Sequence, residues 1–154
     1  MNEPAILEYH KDGYTISTDK ARLDIPVIHG YLSDEAYWSK GIPRRVLEPA
    51  IRNSLCFGVY QGERQAGFAR VISDYATFAY LCDLFILEPF RGRGLGVWLV
   101  ACILEHPSLQ GLRNILLFTS DAHGLYARYG FTPPRSPERI MVKMDPDGYR
   151  RESE

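Results

Sequence analysis

Between two apolar runs the chain carries Arg91-Gly92-Arg93-Gly94-Leu95-Gly96. Three glycines and two arginines at the mouth of a helix have the chemistry of an anion site. The first turn of a helix leaves N–H groups unpaired, and the helix dipole puts partial positive charge there. Glycine lets the backbone approach a phosphate with no Cβ between them, and arginine adds charge-assisted hydrogen bonds. Two familiar nucleotide patterns are excluded. No Gly-Lys-Ser or Gly-Lys-Thr exists, and a G-x-G-x-x-G reading meets Val97 or Leu99 where its last glycine belongs. The alternative is a glycine-rich turn that merely closes a tight corner.

A strand and a helix must position such a turn. Residues 77–87 are almost continuously apolar, which predicts a central strand covered on both faces. Residues 95–106 follow as a helix that Pro107 ends, then a strand over 114–120, so 77–120 reads as a β-α-β unit. Upstream, residues 14–19 alternate as a first strand, and 24–32 and 43–53 read as short helices, with a Gly-Pro-punctuated loop between them. Proline suits a first helical turn, as at Pro43. Residues 56–73 form a hairpin about Gln61-Gly62-Glu63-Arg64. A helix over 122–129, stopped by Gly130, and a last strand over 139–144 complete the list. The fold class is α/β, a mixed sheet with helices on its faces. The expected division is a loosely held segment 1–13, one domain over 14–144 and a polar tail over 145–154.

The 154 residues fit one domain, with 45% hydrophobic and 24% charged residues. Eighteen basic against 19 acidic side chains give a net charge of −1, without the basic excess of a nucleic-acid binder. Cys56, Cys82 and Cys102 lie singly in apolar runs, as reduced thiols do. The four histidines lack metal-ligand spacing, so no metal is expected. The N-terminus does not read as a signal peptide, and the longest apolar run, 97–104, is short of a membrane span. A soluble, cytoplasmic protein without membrane contact is the expectation.

Arg91-x-x-Gly94-x-Gly96 after an apolar strand resembles the R/Q-x-x-G-x-G/A motif of the GNAT acyltransferases. Gly124-Leu125-Tyr126-Ala127-Arg128-Tyr129-Gly130-Phe131 resembles that family's L-Y-x-x-x-G-F helix end, about 30 residues downstream. The likeness spans residues 14–144. It implies a mostly antiparallel mixed sheet splayed between the fourth and fifth of the strands named above. It also implies acetyl-CoA as co-substrate, with its pyrophosphate on Arg91, Gly92, Arg93, Gly94, Leu95 and Gly96. By the same resemblance the backbone of Leu84, Phe85 and Ile86 pairs with the pantetheine arm. Thr119 stands where the family often carries a cofactor-binding asparagine.

The implied reaction is direct acetyl transfer to a primary amine of a small molecule or peptide. Tyr126, by its place in the motif, is the candidate acid for the departing thiolate. A phenol near pKa ~10 lies close enough to a thiol near ~8.5 for proton transfer. The base is open: Asp83, Tyr80 or water relayed from either. "CDLFI" resembles the "EDFFV" stretch of polyamine acetyltransferases, where an aspartate takes the place of Asp83. Strict strand alternation puts Asp83 on the face opposite Tyr80 and Cys82, and a β-bulge would re-aim it. Tyr31, Tyr37, Trp38 and Tyr80 are candidate aromatic walls for the amine. A CoA-binding sensor without turnover is the alternative function, and the expected assembly is a monomer or homodimer.

Overall fold

A computed structural model describes residues 3–149. Six strands form one sheet in chain order: β1 (Glu8–Lys11), β2 (Tyr14–Ser17), β3 (Leu55–Gln61), β4 (Arg64–Ser73), β5 (Phe78–Ile86) and β6 (Asn114–Leu116). Neighbours are antiparallel except β5 and β6, which run parallel. The β1–β2 hairpin takes in residues 8–13 of the segment expected to be loosely held. Its turn is Asp12-Gly13, both at positive φ (52° and 82°), the pairing that matches strand twist in a two-residue hairpin.

Each sheet face has its own core. On one, Ile16, Phe57, Val59, Val71 and Leu81 bury against helix α3 (Leu95–Glu105), which contributes Leu99, Val100 and Ile103. Each such side chain is worth about 1.5–3 kcal/mol of transfer free energy. On the other face Cys56, Phe68 and Phe85 meet helices α1 (Ile25–Asp34) and α2 (Arg44–Arg52). Asp24 caps α1 through Val27 N, and Pro43 stands at the N-cap of α2. The last helix, α4, is a short piece, His123–Ala127, rather than the expected 122–129.

Two features open the sheet. The β5–β6 pairing covers only Phe78↔Asn114, Ala79↔Ile115 and Tyr80↔Leu116. Beyond that β5 runs on to Ile86 paired only with β4, so the splay lies where the resemblance implies it, between the fifth and sixth strands once β1 is counted. The expected strand over 139–144 does not form, and Met141 and Val142 are 92% and 64% exposed. No helix among the described residues is long and apolar enough to cross a membrane.

Candidate active site

The glycine turn has the backbone geometry that an anion cradle needs. Gly92 and Gly94 take φ of 78° and 76°, a left-handed conformation that favours glycine, and a Cβ at either would meet nothing within 4 Å. Gly94 is the N-cap of α3, and no side chain caps that helix. Its first-turn N–H groups therefore face the open space at the turn. Arg93 Nη1 donates to the Tyr14 hydroxyl at 2.7 Å. Arg91 Nε donates to the Ile86 carbonyl at 2.9 Å, and its Nη2 reaches the Tyr31 hydroxyl at 3.2 Å. A guanidinium has five donors, so both arginines keep some for a ligand.

The cradle adjoins the unpaired edge of β5. Gly67 on β4 lets the strands close there: a Cβ would stand 2.8 Å from the Phe85 carbonyl oxygen and 2.7 Å from Ile86 Cδ1. The turn, open edge and splay together fit a phosphorylated ligand with an extended, amide-bearing arm, which is the chemistry of coenzyme A.

Where β5 and β6 part, a cleft is lined by Trp38, Tyr80, Asp83, Phe118, Thr119 and Tyr126, among others. Tyr31 is not among its lining residues; it stacks on Phe85 with centroids 4.1 Å apart, on the side where Arg91 reaches its hydroxyl. Thr119 Oγ1 accepts from Ala122 N at 3.0 Å and so fixes the entry to α4. Tyr126 is 8% exposed and stands edge-on to Phe131. Burial above all, then the neighbouring Tyr37 and Asp121, pushes its phenol up to about 12. Burial likewise raises Tyr80, and drives the Cys82 thiol to about 12. A thiol so raised is not a thiolate nucleophile at neutral pH.

Asp83 is where strict alternation fails. Phe68 pairs with Phe85 and Arg70 with Cys82, so two residues of β5, Asp83 and Leu84, oppose the single Ala69. At this bulge Asp83 takes a φ of 55°. Its carboxylate then reaches the Cys82 side of the sheet, accepting from Arg70 Nε at 2.9 Å and Trp38 Nε1 at 2.9 Å. Arg70 escaped the sequence reading. Its signal was a lone charge inside the apolar "GFARVI" of β4.

The chain belongs to the GNAT acetyltransferase family: the model of the acetyltransferase (GNAT) domain matches residues 52–133. A GNAT-family acetyltransferase of Xanthomonas campestris pv. campestris, solved by crystallography, is 54% identical, with a TM-score of 0.86 over 88% of this chain and 96% of its own. A protein of Gibberella zeae named as an acetyltransferase is 34% identical over 137 residues, 75% of this chain and 76% of its own. A GNAT-family acetyltransferase of Elizabethkingia anophelis, solved with acetyl-CoA bound, shares the fold at 15% identity, with a TM-score of 0.61 over 90% of this chain and 92% of its own.

Proposed function

We propose that this protein moves an acetyl group from acetyl-CoA directly to a primary amine of a small molecule or peptide. One juxtaposition carries the reading: the uncapped, glycine-lined N-terminus of α3 lies beside the free edge of β5, and that edge leads into the cleft holding Tyr126. Arg91, Gly92, Arg93, Gly94, Leu95 and Gly96 hold the pyrophosphate. The main chain of Leu84, Phe85 and Ile86 pairs with the pantetheine amides as an added strand would, and Thr119 contacts the arm across the splay. The Ile86 carbonyl already accepts from Arg91, so the arm uses its remaining lone pair.

Trp38 and Tyr80 flank the incoming amine. Once the ammonium proton has left, the amine nitrogen bonds to the acetyl carbon as the C–S bond breaks. The surplus proton on that nitrogen then passes through water to the departing thiolate. Tyr80, raised by burial, keeps its own proton and is a poor base. The ammonium proton therefore leaves through water held by the lone pairs of Asp83 that Arg70 and Trp38 do not use. Tyr126 faces the departing sulfur. Complete transfer from a phenol near 12 to a thiolate near ~8.5 would run uphill by roughly 5 kcal/mol. Tyr126 thus acts by donating a hydrogen bond to the sulfur as charge develops.

A panel of primary amines incubated with acetyl-CoA tests this, with thiol release and the acetyl mass increment on the acceptor as readouts. The expected result is release that depends on one class of amine. Tight CoA binding with no release across the panel would replace this reading with that of a cofactor sensor.

A further inference from the structure

Burying an arginine in a strand is costly unless its charge and donors are met. Arg70 is 14% exposed along its side chain, and its partner Asp83 7%. Its Nη1 donates to the Ser54 hydroxyl at 3.0 Å, which in turn donates to the Ala50 carbonyl at 2.6 Å. This fixes the guanidinium against α2, and its Nε fixes one oxygen of Asp83. The other oxygen is thereby aimed at the Trp38 indole N–H.

Trp38 belongs to the segment between α1 and α2 and is 40% exposed. Its neighbour Tyr37 stands edge-on to it at 5.0 Å, and the Tyr37 hydroxyl accepts from Ser120 N at 3.0 Å. The segment is therefore tied to β5 through Trp38 and to the chain beyond β6 through Tyr37. These are the two sides of the splay. The positive φ at Asp83, unusual for a residue other than glycine, is spent on the same aim.

We propose that Arg70 is a positioning residue of the acyl-acceptor site: through Asp83 it holds the Trp38 indole as a fixed wall against the amine. Arg70 touches no substrate. The inference rests on the reading that the cleft receives the acceptor, and its test separates the two.

Removing Arg70 alone would orphan a buried carboxylate, so the variant that decides is the pair Arg70→Met with Asp83→Leu, which removes both charges together. The chain has two tryptophans, so a Trp98→Phe background makes Trp38 the sole indole reporter. The pair should red-shift Trp38 emission, lower its anisotropy and raise the amine KM about tenfold, as loss of one buried hydrogen bond implies. The kcat should fall too, because Asp83 also holds the water that takes the ammonium proton, so KM and the indole signals are the readouts of positioning. The Kd for acetyl-CoA should stay within about twofold, since none of the three residues lies at the cradle. In the native-tryptophan protein, Trp38→Phe should reproduce the KM rise, and adding the pair to it should raise KM no further. Unchanged Trp38 emission and anisotropy in a folded pair variant, or additive KM effects, would overturn the role of Arg70. An indole that moves with no change in amine KM would instead contradict the placement of the acceptor beside Trp38.

Discussion

Tyr126 illustrates how burial sets the part a residue can play. Its place in the motif was legible in sequence, but the roughly 10 of a free phenol was the wrong starting value. Inside the cleft its pKa rises to about 12, because the anion loses water there and faces Tyr37 and Asp121. In the proposed role it works protonated, so its contribution would be lost only as pH climbs through that raised value. The kcat–pH profile should show no descending limb near the ordinary ~10 of tyrosine. Tyr126→Phe keeps the ring and deletes the donor. A hydrogen bond to a charged group is worth about 1.5–3 kcal/mol, so kcat should fall about 10- to 100-fold with CoA affinity unchanged. Steady-state kinetics across pH check both; a limb near ~10 would contradict the raised pKa, and kcat within about threefold of the parent would remove Tyr126 from the chemistry. Asp83 and Arg70 were harder to read. Strict alternation counts residues in twos, and the bulge that re-aims Asp83 leaves no mark in residue types.

At the scale of elements, the close approach of β4 to β5 is what the site stands on. Gly67→Ala would press a methyl against the Phe85 carbonyl and the Ile86 side chain, and a main-chain atom has little room to yield. Overpacking of this kind typically costs about 1–3 kcal/mol, and it would shift the edge proposed to pair with the cofactor arm. Denaturant unfolding with calorimetric titration should show lower stability together with weaker acetyl-CoA binding. The long elements were legible because their apolar runs are long: β3, β4, β5 and α3 fall close to the segments read from sequence. The short ones were not. Lys11-Asp12-Gly13-Tyr14 carries a hairpin turn signal, but its polar flanks read as loop, and so β1 was missed. Residues 139–144 have strand-like composition, yet Ile140, Met141, Val142 and Met144 stay exposed and no strand pairs with them. Strand propensity records the fit of a side chain to a half-buried surface, and here that surface is not offered.

Across the whole molecule, acetyl-CoA in the proposed site would act as a clasp. It would join the N-terminus of α3, the free edge of β5 and the far side of the splay, adding to the bridge that Trp38 and Tyr37 already make across the gap. A ligand that binds only the folded state at 100 times its Kd adds about 2.7 kcal/mol, which for a domain of this size raises Tm by about 5–10 °C. Gly96→Asp is the matched control. A Cβ at Gly96 would meet only Ile86 Cγ1, at an ordinary 3.9 Å, so the variant should fold. A carboxylate in the first turn suits the helix dipole but repels a pyrophosphate. Thermal unfolding of the parent and Gly96→Asp, each with and without saturating acetyl-CoA, is thus the most direct measurement. Similar Tm values are expected without ligand, with a rise of about 5–10 °C in the parent and almost none in the variant. An equal rise in both proteins, or none in the parent, would contradict the proposed site.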